Sequence, residues 1–131
     1  MSDIVFIQGL QINTLIGVYS WERAIKQQLI IDAEMVCDMS RAILDDDVAH
    51  VINYKTVCED MERLCHEIQA ELIETLADKI AEYVLTHYPC SQITLTIHKP
   101  NAIKQAASVG VKIVRTKPSA TSKHTQPNTT P

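Results

Sequence analysis

Apolar and polar residues alternate with a period of two in four segments of the chain. These segments are residues 4–14, 27–37, 92–99 and 108–115. Strict alternation places successive side chains on opposite faces of a pleated strand, so the pattern predicts four half-buried β-strands. The link between the first two strands contains residues 16–23 and is too long for a tight hairpin turn.

The first predicted strand carries apolar residues on both faces. One face is predicted to hold Ile4, Phe6, Leu10 and Ile12. The opposite face of the whole sheet is then predicted to expose five apolar residues, which are Val5, Ile7, Ile30, Val36 and Val114. An uncovered apolar face and two open sheet edges favour an oligomer over a monomer.

Two segments between the second and third strands repeat apolar residues at helical spacing. Asn53 is an N-cap candidate for the first helix, and Pro89 follows the end of the second. The element order is therefore ββααββ. This order predicts an α+β domain in which two helices cover one face of a four-stranded antiparallel sheet.

Length and composition exclude several classes of protein. A chain of 131 residues predicts one domain. A formal net charge of -4 and a pI near 5.7 disfavour a nucleic-acid partner. No apolar run is long enough to span a bilayer, and the N-terminus has no signal-peptide pattern, so no membrane association is expected. The four cysteines form no CxxC pair and are interpreted as reduced thiols of a cytoplasmic protein.

The last part of the chain differs in composition from the rest. Residues 117–131 contain three of the five prolines and almost no apolar side chains. Such a segment cannot bury enough surface to offset its ordering entropy. The folded domain is therefore predicted over residues 1–116, with a disordered C-terminal tail at 117–131.

Several short motifs occur in an order and spacing that resemble the dihydroneopterin aldolase family. The resemblance covers residues 3–115. Its most specific motifs are IGV at 16–18, WER at 21–23, NY at 53–54, LIETLA at 72–77, KP at 99–100 and AASVGV at 106–111. The resemblance implies a tunnelling fold, in which subunits join their sheets into a ring. It also implies a homo-octamer of two stacked tetramers with active sites at the subunit interfaces.

The activity implied by the resemblance is a retro-aldol cleavage of 7,8-dihydroneopterin, with C2' epimerisation as a side activity. The products are 6-hydroxymethyl-7,8-dihydropterin and glycolaldehyde. Because the dihydropterin has a C=N bond next to the bond that breaks, the substrate itself can accept the electrons. The reaction then requires proton transfer, but no Schiff base, metal ion or other cofactor.

Six residues are expected to bind the substrate: Glu74, Ile73, Val18 and Ile52 form the pterin pocket, and Tyr54 and Glu22 bind the substrate as well as carrying the chemistry. Glu74 is the family's ring anchor, and a glutamate can accept the adjacent N–H and NH₂ groups of a pterin in a bidentate arrangement. The backbone of Ile73 lies beside it, where unpaired N–H groups of a helix start can meet the ring carbonyl. Val18 and Ile52 match positions of the pocket wall. Taken alone, Glu74 would be interpreted as a first-turn acid that interacts with the helix dipole.

Three residues are expected to carry the chemistry. Lys99 matches the family's catalytic lysine, and Tyr54 matches the tyrosine that forms a proton relay with it. Glu22 matches a glutamate that contacts the side-chain hydroxyls of the substrate. Asn101 and Gln105 depart from the family pattern, which often has glycine at both positions, so the conformation of this loop is an open question.

Three other functions remain possible at the level of the sequence. Some enzymes of the same fold use zinc, but the five histidines form no HxH pair or Cys/His cluster. A dihydroneopterin triphosphate epimerase would keep the lysine and favour cations such as Arg23, Lys26 and Lys104 near the pocket. A non-catalytic pterin-binding or scaffold protein would need Glu74 but not the proton-transfer groups.

Overall fold

The computed structural model describes residues 2–19 and 26–118, which form an antiparallel sheet covered on one face by two long helices. The strands lie in the order β1-β2-β3-β4. The elements are β1 (Asp3–Thr14), β2 (Gln27–Cys37), α1 (Ser40–Asp45), a one-turn 3₁₀ helix (Val48–His50), α2 (Tyr54–Ile68), α3 (Ile73–His87), β3 (Gln92–Pro100) and β4 (Ser108–Thr116). The predicted α+β fold is confirmed.

The two long helices begin differently. The side chain of Asn53 accepts hydrogen bonds from the backbone N–H groups of Lys55 and Thr56, as predicted for an N-cap. Leu72 is the N-cap of α3 and has no side-chain acceptor to offer its first turn. The start of α3 is therefore the helix end that a ligand can complete.

A β-bulge in β1 corrects the predicted faces of that strand. Gln8 and Gly9 lie opposite the single residue Asp32, and Gly9 has the left-handed φ of 73°. The extra residue reverses the alternation, so Val5 and Ile7 pack against the core on the helix side together with Leu10 and Ile12. The predictions that Ile4 and Phe6 face the core, and that Val5 and Ile7 do not, are wrong.

The open face of the sheet remains apolar after this correction, although its residues change. Ile4 and Phe6 are 52% and 64% exposed. Val114 on β4 is also exposed, while Ile30 and Val36 are half-buried. The argument that an unpartnered apolar face favours an oligomer therefore still applies, with Ile4 and Phe6 in place of Val5 and Ile7.

The hydrophobic core lies between the sheet and the two long helices. β2 and β3 contribute their predicted inward residues, and α2 and α3 contribute one stripe each. The largest fully buried side chains are Ile12, Ile16, Leu29, Ile31, Met35, Val57, Met61, Leu76, Ile80, Ile93, Leu95 and Ile97. None of the helices among residues 2–19 and 26–118 has the length and apolar character needed to cross a membrane.

Two short elements between β2 and α2 were not predicted. α1 has six residues and the 3₁₀ helix has three, which is too few for a helical period to stand out in the sequence. At the other end of the domain, the backbone N–H of Lys117 donates to the carbonyl of Ser91. Pairing therefore extends one residue beyond the predicted boundary at 116. Residues 119–131, most of the predicted tail, lie outside the described residues.

Candidate active site

Several chain segments with predicted functional residues meet at one end of the sheet. Because the strands are antiparallel, the end of β1, the start of β2, the end of β3 and the start of β4 lie together. We call this the Lys99 end. A four-residue connection joins the end of α3 to the start of β3, so α3 runs back along β3 and begins at the Lys99 end. Ile73 and Glu74 are therefore on the same side of the domain as Lys99.

Lys99 is the penultimate residue of β3 and pairs with Val109 of β4. Its side chain is half-buried. The turn after it contains Asn101, whose φ is 67°. Glycine adopts this left-handed conformation most readily, and asparagine is among the residues that tolerate it best. Asn101 therefore suits the backbone conformation at this position, which answers the question that its departure from the family pattern raised.

The start of α3 presents two kinds of group to a ligand. Ile73 is half-buried, and Glu74 is exposed in the first helical turn. The backbone N–H groups of this turn donate no hydrogen bond to the side chain of the N-cap residue. A carboxylate acceptor beside uncapped N–H donors can recognise a planar ring that has adjacent N–H and C=O groups.

The loop after β1 lies partly within the described residues. Val18 is 56% exposed at the Lys99 end, so it is available as part of a pocket wall. Residues 20–25 lie outside the described residues. This segment includes Glu22, which was predicted to contact the substrate hydroxyls.

Tyr54 lies at the opposite end of the domain from Lys99. It is the first residue of α2, whose 15 residues span about 22 Å at the usual helical rise. The last turns of α2 lie at the Lys99 end, because the carbonyl of Cys65 accepts a hydrogen bond from Thr14 at the end of β1. Tyr54 is 62% exposed, whereas Ile52 is 3% exposed within the core of its own chain.

One chain therefore brings together only part of the predicted site. Lys99, Ile73, Glu74 and Val18 share one end, and Tyr54 and Ile52 share the other. A proton cannot pass between Tyr54 and Lys99 across the length of α2 without a relay. If both residues act on one substrate molecule, the tyrosine has to come from a second copy of the chain.

Other polar groups were not singled out from the sequence. Asp32, His98 and Ser108 form a hydrogen-bonded chain on the open face, and His98 immediately precedes Lys99 in the sequence. The sequence signal for this group is Asp32, an acid within the apolar run of β2. The open face also contains a groove of about 370 Å³, which Phe6 and Lys112 help to line. No group of three potential metal ligands occurs among residues 2–19 and 26–118.

Comparisons with known proteins show which family and which fold the chain resembles. Residues 5–114 match the family model described as FolB, dihydroneopterin aldolase. The dihydroneopterin aldolase of Escherichia coli K12 is 38% identical over 113 residues, which are 86% of this chain and 93% of that protein. The crystal structure of the E. coli enzyme in complex with neopterin matches with a TM-score of 0.83 and 38% identity, over 86% of this chain and 98% of that one. A putative dihydroneopterin aldolase from Vibrio cholerae matches with a TM-score of 0.84 and 38% identity, over 87% of this chain and 97% of that one.

Proposed function

We propose that this chain, which belongs to the dihydroneopterin aldolase family, uses the groups at the Lys99 end for a retro-aldol reaction. The chain is a lyase whose substrate is 7,8-dihydroneopterin and whose products are 6-hydroxymethyl-7,8-dihydropterin and glycolaldehyde. The observation that supports this assignment most directly is the start of α3, where Glu74 lies beside uncapped backbone N–H groups.

Glu74 binds the pterin ring in this proposal. Its two carboxylate oxygens accept hydrogen bonds from the ring N–H and from the exocyclic NH₂ group. This bidentate arrangement is as specific as that of an arginine with a carboxylate. The backbone N–H groups around Ile73 donate to the ring carbonyl oxygen. Val18 completes the wall of the pocket from the same chain, whereas Ile52 belongs to the wall together with Tyr54 of a second copy of the chain. Binding by the ring leaves the trihydroxypropyl side chain free to meet the catalytic groups.

Lys99, Tyr54 and Glu22 act on the side chain of the substrate. A base removes the proton from the side-chain hydroxyl, the carbon–carbon bond breaks, and the electrons move into the adjacent C=N bond of the ring. The ring nitrogen takes up a proton to give an enamine. Protonation of the side-chain carbon next to the ring and loss of the N–H proton then restore the C=N bond and leave the hydroxymethyl group. Lys99 and Tyr54 form the relay for these steps, and Glu22 holds the side-chain hydroxyls. Re-addition of the aldehyde from the other face would give C2' epimerisation as a side activity.

The separation of Tyr54 and Lys99 supports an active site that two subunits share. Each chain gives Lys99 and Glu74 to one site and Tyr54 to another. A ring of subunits joined through the open edges of β1 and β4 satisfies this requirement, and it also covers unpaired strand edges. The assembly we propose is an octamer of two stacked tetramers.

Mixing two inactive variants tests the shared site. Lys99→Ala and Tyr54→Phe each remove one member of the relay, so each homo-oligomer is expected to be inactive. Subunits mixed at random in a symmetric ring restore both residues at about one quarter of the sites. Glycolaldehyde release near that fraction of the wild-type rate supports the proposal. A mixture as inactive as its two components would show that one chain holds the whole site.

Product analysis distinguishes the rival functions. Purified protein is incubated with 7,8-dihydroneopterin in the presence of a chelator, and glycolaldehyde and the 2' epimer are measured. Glycolaldehyde release that is lost in Lys99→Ala supports the lyase. Epimerisation of dihydroneopterin triphosphate without cleavage would identify the epimerase instead. Binding of both compounds without turnover would identify a pterin-binding protein, and inhibition by the chelator would indicate a metal-dependent enzyme.

The cysteines support a cytoplasmic location for this activity. Cys37, Cys58, Cys65 and Cys90 are all free thiols, and three of them are buried. A reducing compartment keeps such thiols unpaired.

A further inference from the structure

A chain of hydrogen bonds crosses all four strands on the open face of the sheet. Asp32 of β2 accepts two of these bonds. One comes from the backbone N–H of Gly9 in β1, at 2.7 Å from Oδ1, and the other joins Oδ2 to Nε2 of His98 in β3, also at 2.7 Å. The second ring nitrogen of His98, Nδ1, lies 3.3 Å from Oγ of Ser108 in β4. Every strand therefore supplies one member.

The hydrogen bonds to Asp32 favour its ionised form. Burial by itself would raise the pKa of Asp32, but the hydrogen bonds from His98 and the Gly9 N–H outweigh it and hold the pKa below its ordinary value. An ionised carboxylate only accepts, so Nε2 of His98 carries a proton and donates it. A hydroxyl both donates and accepts, so Ser108 can bond Nδ1 whether His98 is neutral or charged.

The chain of hydrogen bonds has space to form because small residues lie beside it. Gly110 is the residue of β4 that pairs with His98. A Cβ atom at this position would lie 2.0 Å from the carbonyl oxygen of Ile97, so only glycine allows the two strands to approach this closely. Gly9 supplies its N–H to Asp32 from the left-handed turn of the bulge.

The chain of hydrogen bonds lies on either side of Lys99 in the strand pairing. His98 immediately precedes Lys99, and Ser108 pairs with Pro100, the residue that follows it. The bonds therefore clamp both ends of the turn at residues 101–107. Side chains alternate along a strand, so a rotation of β3 that moved His98 on one face would also move Lys99 on the other.

We infer that His98, held by Asp32 and Ser108, is a positioning residue for Lys99 in the cleavage reaction. This inference rests on the proposed role of Lys99. His98 contacts no substrate in this assignment, because its ring is on the open face. Its effect is to fix the direction of the strand end from which the Lys99 side chain projects, and small displacements of a catalytic group reduce turnover strongly.

Three variants and one control test the inference in the full-length protein. His98→Phe keeps a ring of similar size but forms none of the hydrogen bonds. His98→Gln retains an amide that can donate to Asp32, and Asp32→Leu removes the acceptor. Thr96→Val is the control, since Thr96 lies on the same face of β3 two residues away and its side chain has no hydrogen bond among the described residues.

The expected result is a loss of turnover without a loss of pterin binding. His98→Phe and Asp32→Leu should lower kcat by about tenfold to a hundredfold and leave KM within about twofold of wild type. His98→Gln should recover part of kcat, and Thr96→Val should match wild type. Hydrogen exchange should be faster across residues 99–107 in His98→Phe than in Thr96→Val, which reports the loosened turn without reference to activity.

Two results would overturn the inference. One is a His98→Phe protein whose kcat and exchange across residues 99–107 both match those of Thr96→Val. The other is a His98→Phe protein that loses thermal stability while its folded fraction keeps the wild-type kcat. The proposed function fails separately, if wild type releases no glycolaldehyde or if Lys99→Ala keeps full activity. In that case the exchange result still decides whether His98 holds the segment that carries Lys99.

Discussion

The hydroxyl of Thr14 donates a 3.0 Å hydrogen bond to the backbone carbonyl of Cys65, which joins the last residue of β1 to the last turns of α2. Thr14 is 1% exposed, and among the described residues it is the one polar residue that is fully buried. Carbonyl groups in the last turn of a helix have no partner within the helix. Thr14 supplies one from a strand 51 residues away in sequence.

We expect Thr14→Val to destabilise the protein by about 1 to 3 kcal/mol, because the variant keeps the shape of the side chain and leaves a buried carbonyl without its donor. Denaturant unfolding at a fixed protein concentration measures the change. Thr86→Val is the matched control, since Thr86 donates to the carbonyl of Glu82 on an exposed helix surface. The control should change stability by less than about 0.5 kcal/mol. Equal effects of the two variants would contradict the prediction.

Gly9 and Gly110 are expected to respond differently to alanine. A Cβ at Gly9 meets no atom within 4 Å, so the cost of Gly9→Ala is the left-handed φ of 73°, or about 1 to 2 kcal/mol. A Cβ at Gly110 would lie 2.0 Å from the backbone oxygen of Ile97, which can move only if β3 and β4 separate. Gly110→Ala should therefore lower the melting temperature more than Gly9→Ala. The reverse order would refute this account of the two glycines.

Two truncations locate the end of the folded domain. Removal of the residues after Pro118 should leave the melting temperature unchanged, because the lost segment is rich in proline and poor in apolar residues. Removal of the residues after Arg115 should lower it. That cut deletes Lys117, whose backbone N–H bonds the carbonyl of Ser91 and whose ammonium group bonds the carbonyl of Tyr88. Equal melting temperatures for the two truncated proteins would show that these bonds contribute nothing.

The thiol of Cys65 is expected to reduce stability at alkaline pH. Burial, and to a smaller extent the charge of Glu62, raise the pKa of Cys65 from 9.0 to about 12. The unfolded chain therefore loses this proton near pH 9, while the folded chain keeps it. The contribution of Cys65 to stability is fully present below pH 9 and is lost as pH rises toward 12.

Unfolding of wild type and Cys65→Ala at several pH values isolates this contribution. Between pH 9 and 10.5, wild type should lose up to about 1.4 kcal/mol per pH unit more than the variant. The slope, rather than the absolute stability, is compared, because the alanine also leaves a cavity in the core. Parallel pH profiles for the two proteins would show that Cys65 titrates normally in the folded state.

The sequence pattern predicted most of the fold, and its one error about strand faces has a clear cause. Alternation in β2 and β3 identified the buried residues of both strands, because each strand keeps one phase throughout. β1 changes phase at Gly9, where the bulge is completed by Asp32, 23 residues further along the chain. A local period cannot reveal a hydrogen bond of that range, so Ile4 and Phe6 were assigned to the wrong face.

The candidate site divides in the same way between sequence and tertiary structure. The sequence by itself determined the residue types that resemble a pterin lyase, because motifs such as LIETLA and KP are local. It also determined that Tyr54 would begin one helix and that Glu74 would lie in the first turn of the next, since caps and periods are local as well. Only the tertiary structure decided that Tyr54 lies at one end of the domain and Lys99 at the other. That separation follows from the antiparallel packing of α2, α3 and β3, which depends on contacts between residues far apart in the chain.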